Sequence, residues 1–276
     1  MGKSKKKTGR SVRYVNMLKR LYRHADFLAK LTKLSFIQKR IDKSTVNDEM
    51  IYLTKDKVIP INQEVEKPTD MVLPSEVVEY FVNKTKYHWI MNFCICRDSL
   101  KCEDYPRQLG CLFMGEPVVG INPAFGRLVT KEEALEHLKK CREAGLVHVI
   151  GRNELDAKWL GIGPGSKLLT ICNCCPCCCI TRYAPKVKFV GNTLKKMSGV
   201  EIKVTDKCIG CGTCTRGVCF ANAIEIIDNK AVINEECRGC GRCVDICPQK
   251  AIELIINDDN FIKNSIKRID ELVDLT

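Results

Sequence analysis

The chain has 276 residues, enough for two domains, and its 45% content of hydrophobic residues argues against a chain that is disordered throughout. No apolar run of roughly eighteen residues occurs, so no transmembrane helix is expected. No apolar segment of a secretory signal follows the basic start. The unusual feature is the presence of 19 cysteines, most of them in tight clusters. Such spacing favours metal ligation in a reducing compartment over disulfides, which predicts a cytoplasmic protein.

The charge is unevenly distributed along the chain. Residues 1–43 contain 14 Lys and Arg against Asp26 and Asp42, so their net charge of +12 equals that of the whole chain. Residues 201–276 contain 10 Lys and Arg against 13 Asp and Glu, a net charge of −3. A basic N-terminal segment is therefore joined to a mildly acidic C-terminal one.

Residues 1–43 are predicted to form a basic amphipathic helical arm. After five early basic residues (Lys3, Lys5, Lys6, Lys7 and Arg10), apolar residues recur every three or four positions. Such a helix can pack on its own domain, dock to a redox protein partner or lie on an anionic membrane surface, with nucleic acid the least favoured alternative. The apolar stripe consists of Val15, Leu18, Leu21, Tyr22, Phe27, Leu28, Leu31 and Leu34.

Residues 44–199 are predicted to be a cysteine-rich α+β domain. The clearest helix runs from Thr130 to Ala144, because Thr130 and Glu133 match a capping box and Gly145 supplies a stop. Residues 93–120 are expected to be irregular. The other expected elements are strands at Met50–Leu53, Leu146–Ile150 and Lys167–Ile171, and a helix at Ser75–Asn83 with Ser75 as its N-cap.

Ten cysteines of this domain are candidate metal ligands. Adjacent residues of an extended chain point to opposite faces, so all ten cannot bind one cubane cluster. Cys94 and Cys96 could close one site with Cys174 and either Cys175 or Cys177. A third Fe–S cluster, a zinc-type site, a thiol or persulfide relay and ordinary buried thiols all remain open. The candidates are Cys94, Cys96, Cys102, Cys111, Cys172, Cys174, Cys175, Cys177, Cys178 and Cys179.

Some residues near these clusters have simpler interpretations. Cys141 lies on the apolar stripe of the Thr130 helix and is predicted to be core. His148 follows a short apolar strand and is expected to be structural. Arg97 and Arg182 flank the two cysteine groups, where they could neutralise cluster charge.

Residues 200–276 contain an internal repeat with a metal-binding pattern. The copies read CIGCGTCTRGVCFANAIEI and CRGCGRCVDICPQKAIELI. Each has three cysteines at two-residue spacing and a fourth further on. In two-cluster ferredoxins the fourth cysteine ligates the other repeat's cluster. This pairs Cys208, Cys211 and Cys214 with Cys247, and pairs Cys237, Cys240 and Cys243 with Cys219.

The repeat resembles bacterial-type two-cluster [4Fe–4S] ferredoxins. The resemblance implies a β-α-β-β-α-β pseudo-twofold fold and two [4Fe–4S] clusters. Gly210, Gly212, Gly239 and Gly241 fit, since the backbone must pass close to cluster sulfide. The first repeat departs from the pattern, with Phe220 where the second has Pro248. The competing interpretation is two structural zinc sites. An amphipathic helix is expected at Asp259–Leu275.

Residues 57–183 resemble a cysteine-rich domain of iron–sulfur proteins from anaerobes. The resemblance rests on the segments MNFCICRDSLKC, KEEALEHLKKCREAGLVH and ICNCCPCCC, among others. It implies a third Fe–S cluster or another metal site, in anaerobic redox metabolism. The whole chain is therefore predicted to be an α+β protein with a C-terminal two-cluster ferredoxin fold.

The leading functional hypothesis is an electron carrier rather than a stand-alone enzyme. It would pass single electrons through two [4Fe–4S] clusters to or from the cysteine-rich site or a docked redox enzyme. One alternative is a reductase, or a thiol- or persulfide-handling enzyme, with catalysis at the second cysteine-rich region. Another is a maturation factor that delivers electrons or a cluster to another protein. The protein is expected to be cytoplasmic, with a peripheral membrane contact through the arm as an alternative.

Overall fold

The computed structural model describes residues 9–32, 38–39, 43, 47–54, 58–59, 71–183 and 187–275. The predicted basic start at residues 1–8 and the end of the arm's stripe at Leu34 lie outside the described residues. The mixed α+β architecture predicted from the sequence is confirmed.

Among residues 9–32 of the N-terminal segment, the predicted helical arm contains two helices. Helix α1 (Val12–Tyr22) begins after Ser11, whose hydroxyl accepts a hydrogen bond from the Tyr14 amide. A turn at residues 23–24 separates it from α2 (Ala25–Leu31).

Helix α1 is packed on the rest of the chain. Val15 is 1% exposed and lies in a core cluster with Trp89 and Phe113. The Gly9 amide donates to the Gly120 carbonyl at 2.7 Å, and the Arg10 amide to the Leu160 carbonyl at 2.8 Å. Packing on its own domain was one of the four roles considered for the arm, and the described residues of the arm do pack in this way.

A seven-stranded sheet forms the centre of the molecule. Its strand order is β6-β4-β5-β8-β7-β1-β9, and all neighbours are antiparallel except β1 and β9. A separate two-stranded ribbon pairs β2 (Val58–Ile59) with β3 (Met71–Val72). The sheet strands are β1 (Glu49–Tyr52), β4 (His88–Met91), β5 (Leu112–Met114), β6 (Gly126–Val129), β7 (Val147–Arg152), β8 (Leu169–Cys174) and β9 (Leu194–Lys196).

Five helices connect these strands, and they correct two expectations. Helix α3 begins at Leu73, so Ser75 lies inside it and is not its N-cap. Residues 93–120 are not irregular, because they contain α4, β5 and a 3-10 helix at Glu116–Gly120. The capping box of α5 is confirmed. The helices are α3 (Leu73–Lys84), α4 (Ile95–Ser99), α5 (Lys131–Glu143), α6 (Glu154–Leu160) and α7 (Lys188–Thr193).

The C-terminal part has two matching halves. The order is strand, 3-10 turn, strand, strand, helix, strand, so a 3-10 turn at Thr213–Thr215 stands where the first α-helix was expected. The Thr205 amide donates to Ala251 at 2.8 Å, and the Asn234 amide donates to Ala223 at 2.9 Å. Antiparallel pairs form between β10 (Val200–Val204) and β13 (Ile252–Ile256), and between β11 (Ile224–Ile227) and β12 (Lys230–Ile233); α8 is Arg242–Ile246.

The C-terminal part and the sheet share one hydrophobic core. Ile51 and Phe81 belong to the same cluster of buried residues as Ile202 and Phe261, on the other side of the predicted boundary at residue 200. Helix α9 (Phe261–Asp270) packs beside α3, where the Lys84 ammonium lies 2.7 Å from the Asp270 carboxylate. The two parts are therefore held against each other by apolar packing as well as by the chain connection.

Candidate iron-sulfur and metal sites

The repeat cysteines form two groups of four in the structure. Cys208, Cys211, Cys214 and Cys247 line one small cavity, which also contains Pro248. The first three come from the loop between β10 and β11, and Cys247 comes from the end of α8. The grouping is the crossed one expected from the repeat.

The second group joins Cys219 to the cysteines of the second repeat. The pKa of the Cys240 thiol is raised to about 12, mainly by burial and also by the nearby thiols of Cys219 and Cys237. Burial is also the main cause of a raised pKa at Cys243, which lies near the same three thiols. A bound cation would lower these pKa values, since positive charge favours the thiolate.

The backbone around both groups suits thiolate ligands of a cluster. The Ala231 amide donates to Cys208 Sγ, the Ala223 amide to Cys219 Sγ and the Ala251 amide to Cys247 Sγ, each at 3.3 Å. Such bonds stabilise the charged sulfur and tune a cluster's potential. The glycines at positions 210, 212, 239 and 241 all have φ between +67° and +78°. Their conformation favours glycine, so the donor set and the loops fit two cubane clusters.

In the cysteine-rich domain the ten candidate ligands separate into two sets. We call the first the four-thiol group: the Sγ atoms of Cys102, Cys175, Cys177 and Cys178 all lie within 4.8 Å of one another. The Sγ–Sγ distance is 3.6 Å between Cys102 and Cys177, and 3.4 Å between Cys175 and Cys177.

The other six form a row of neighbouring thiols. Cys96 contacts Cys94 and Cys179 by side-chain hydrogen bonds. The Sγ atoms of Cys179 and Cys174 are 3.1 Å apart, and those of Cys111 and Cys172 are 3.7 Å apart. A hydrogen bond between Cys172 and Cys174 joins these two parts, so the row runs from Cys94 to Cys111.

These six thiols line one cavity of about 500 Å³, which we call the six-thiol cavity; Cys175 of the four-thiol group also lines it. Helix α1 covers it, since Leu18, Leu21 and Tyr22 are among its lining residues. The Tyr22 hydroxyl donates to the Cys178 carbonyl at 3.1 Å, and burial raises its pKa above the usual range. The arm thus forms one wall of a candidate site.

Within the cavity the thiols differ in acidity. Hydrogen bonds from Cys174 and Cys96 lower the pKa of Cys179 well below its usual value. The same contact to Cys179 raises the pKa of Cys96. These contacts favour the thiolate of Cys179, which is the form in which a cysteine acts as a metal ligand or nucleophile.

Arg97 is the buried cation of this region. Its side chain has 0% exposure, and its guanidinium donates to the carbonyls of Pro106 at 2.9 Å and Asn173 at 2.5 Å, and also to Leu109. Arg182 is more exposed, and its Nη1 donates to the Cys177 carbonyl at 2.7 Å. Both arginines lie beside thiols, as the sequence suggested.

The two single residues lie in the core. Cys141 is fully buried and packs with Cys102, Cys175 and Cys178, outside the four-thiol group itself. His148 Nδ1 lies 2.7 Å from the Asn173 side-chain oxygen, and burial lowers its pKa to about 4. Neither residue lines the six-thiol cavity.

An aromatic pair connects the C-terminal part to the six-thiol cavity, and the sequence did not single it out. Tyr52 and Phe220 meet edge to face, with ring centroids 5.4 Å apart. They lie in one core cluster with Cys174 and Cys179, and Cys240 packs against that cluster. The one sequence signal was Phe220 itself, which stands where the second repeat has proline.

Comparisons with known proteins concern the C-terminal part. Residues 214–257 match the LdpA Fe-S cluster-binding domain family. Over 74 residues the chain is 42% identical to a component of the ion-translocating oxidoreductase complex of Methanosarcina acetivorans, covering 26% of this chain and 28% of that protein. Over 71 residues it is 38% identical to a component of the Na(+)-translocating ferredoxin:NAD(+) oxidoreductase complex of Acetobacterium woodii, covering 22% of this chain and 21% of that protein. No solved structure matches significantly.

The chain therefore contains an iron–sulfur cluster-binding domain, and it spans 28% and 21% of the length of these two curated relatives. Of the helices in the described ranges, none combines the length and the apolar character that crossing a membrane requires.

Proposed function

We propose that this protein is an electron carrier that links two [4Fe–4S] clusters in its C-terminal domain to a redox centre in the six-thiol cavity. Cys208, Cys211, Cys214 and Cys247 would hold one cluster, and Cys237, Cys240, Cys243 and Cys219 the other. Cys94, Cys96, Cys174 and Cys179 would hold a third, with their sulfurs moved apart from contacts such as the 3.1 Å between Cys174 and Cys179. Bound clusters supply one-electron chemistry. The named cysteines would fix the positions of the clusters, and the backbone amides of Ala223, Ala231 and Ala251 would donate to three of their sulfurs.

The observation that carries the proposal is the packing of Cys240 against the core cluster that contains Cys174 and Cys179. Tyr52 and Phe220 fill this contact, and Phe220 is 2% exposed. The second C-terminal group and the six-thiol cavity are thus joined by continuous protein without an intervening solvent layer.

The two C-terminal groups differ in exposure, which gives the route a direction. Cys211 is exposed, and its neighbour Ile209 has 64% exposure. The second group instead packs against the cysteine-rich domain through Cys240. An external redox partner would exchange electrons at the Cys211 end, and the six-thiol cavity would lie at the other end.

The test follows electrons across the Tyr52–Phe220 contact. Phe220→Ala should keep about eight irons in the C-terminal domain, and about twelve in the whole chain if the cavity holds a cubane, by ligand count. Rapid-freeze EPR after dithionite should show slower reduction of the cavity centre than in the wild type. Pro248→Ala is the matched control, because Pro248 follows the other crossing ligand and is exposed. A wild-type rate in Phe220→Ala refutes the route, and a cavity without iron refutes the third cluster.

A reductase with its catalytic centre in the six-thiol cavity is the second candidate function. The observation that favours it is the surplus of donors: Cys111 and Cys172 are not needed by a cubane held by the other four cysteines. They lie at the end of an apolar cavity large enough for a small molecule. Anaerobic alkylation of the iron-loaded protein distinguishes the two functions. Modified Cys111 and Cys172 would support free thiols for chemistry, and protection of both would support a larger cluster.

Partners of this chain are proposed from two sources. The relatives are named as components of oxidoreductase complexes, which suggests a redox protein partner for this chain too. Helix α1 buries Val15 but exposes Arg13 and Arg20, so a basic surface remains for an acidic partner or an anionic membrane. Pull-down and liposome flotation at low and high salt separate these two alternatives.

A further inference from the structure

The four-thiol group has the dimensions of a site for one metal ion. A tetrahedral ion with metal–sulfur bonds of about 2.3 Å holds its sulfurs about 3.8 Å apart. The Sγ atoms of Cys102, Cys175, Cys177 and Cys178 lie within 4.8 Å of one another, with two of the distances at 3.4 and 3.6 Å. The four thiols of a cubane bind four different irons, so they stand further apart than thiols around one ion.

We infer that Cys102, Cys175, Cys177 and Cys178 bind a single divalent metal ion, zinc or one iron, as a structural site that adjoins the six-thiol cavity at Cys175. Four thiolates in a tetrahedron are the typical donor set of closed structural sites. The inference does not depend on the proposed electron route, because a closed four-sulfur site needs no redox change.

The fold brings these four residues together from two segments. Cys102 follows α4, and the other three lie in the turn that begins after β8. Hydrogen bonds fix the turn from outside, since Arg182 donates to the Cys177 carbonyl and Tyr22 to the Cys178 carbonyl. The metal would close a link between the loop after α4 and the end of the central strand.

The site also stands next to the contact with the C-terminal part. Tyr105, three residues after Cys102, accepts a hydrogen bond from Arg242 at 2.8 Å. Arg242 also donates to the Gly145 carbonyl at 2.5 Å. Cys177 and Cys219 line the same surface groove. A metal at the four-thiol group would therefore restrict the motion of the segment at Cys102 and Tyr105, which contacts the C-terminal part through Arg242.

Elemental analysis of anaerobically purified protein tests the inference. The wild type should hold about one zinc, or one iron beyond a multiple of four, per chain. Cys102→Ser and Cys178→Ser should each lose that one atom and keep the remaining iron. Cys141→Ser is the matched control, because Cys141 is buried beside the group but is not one of the four, and it should keep the metal.

Spectroscopy of the wild type keeps the inference testable if the variants fail to fold. For zinc, X-ray absorption at the zinc edge should show four sulfur neighbours at about 2.3 Å and no metal neighbour. For iron, Mössbauer spectra should show one mononuclear iron with four sulfur ligands beside the cluster irons. Three results would overturn the site: no additional metal in the wild type, loss of about four irons in Cys102→Ser, or a zinc–metal distance, or for iron no mononuclear component, in these spectra. The proposed electron-transfer route would be refuted by a different result, namely a six-thiol cavity without iron.

Discussion

Replacing Arg97 by methionine should empty the six-thiol cavity of metal and leave the C-terminal clusters in place. The buried guanidinium donates to three carbonyls, at Pro106, Leu109 and Asn173. The first two lie in the loop that leads to Cys111, and Asn173 separates Cys172 from Cys174. One side chain thus fixes the backbone at both segments that supply thiols to the cavity.

The expected loss of stability follows from these contacts. A buried carbonyl left without its partner costs about 1–3 kcal/mol, so three of them give a loss on the order of 4 kcal/mol after partial relaxation. That is a large share of the roughly 5–15 kcal/mol by which domains are stable. Cys94 also loses a nearby positive charge that lowers its pKa, so its thiolate form is disfavoured.

Iron and sulfide analysis with EPR measures the result on anaerobically purified protein. Arg107→Met is the matched control, because Arg107 is exposed and its ion pair with Asp98 at 4.0 Å should contribute about 0–1 kcal/mol. Arg97→Lys keeps the charge but not the planar fork, so it separates electrostatics from positioning. Wild-type metal content in Arg97→Met would refute the reasoning.

Two further predictions concern the ligand crossing and a buried histidine. Cys219→Ala should damage the cluster of Cys237, Cys240 and Cys243 and spare the other, with Cys247→Ala as the reciprocal control; EPR showing loss of the Cys208 cluster instead would contradict the assignment. His148, whose pKa burial lowers to about 4, stays neutral in the folded protein while the unfolded chain takes up a proton below about pH 6.5. Stability should therefore fall between about pH 6.5 and 4 by on the order of 3 kcal/mol, and His148→Gln should fall less. Thermal unfolding of the wild type and of His148→Gln at equal scan rates measures the difference in their pH dependence. Loss of clusters in acid affects both proteins and cancels in this difference. Equal pH dependence would show that His148 does not contribute.

The sequence predicted local features of the fold well. The capping box of Thr130 and Glu133 uses contacts within one helical turn, so its residues specify it without tertiary information. The crossed pairing of Cys219 and Cys247 was expected because the fourth cysteine of each repeat binds the other repeat's cluster in two-cluster ferredoxins, and it stays a prediction. The start of α3 was predicted wrongly at Ser75. The helix begins at Leu73, and the local sequence alone does not distinguish these two starting points.

The division of the ten cysteines into sets of four and six was not predictable in detail. Cys172 and Cys174 are two residues apart on β8, so strand periodicity places them on one face. The strand ends at Cys174, and the following turn directs Cys177 and Cys178 to Cys102 instead. Strand β8 pairs with β5 and β7, and this long-range pairing determines where the strand ends. The spacing of the cysteines alone does not encode it.

The departure of the first repeat from the ferredoxin pattern has a physical explanation in its surroundings. Proline after the fourth cysteine restricts the backbone but offers little area for packing. Pro248 is exposed, whereas Phe220 is 2% exposed and packs against Tyr52. An aromatic residue buries far more surface and so favours a fixed contact between domains. The two repeats therefore differ where their environments differ: the residue after Cys247 is exposed to solvent, and the residue after Cys219 lies in the core cluster that contains Cys174 and Cys179.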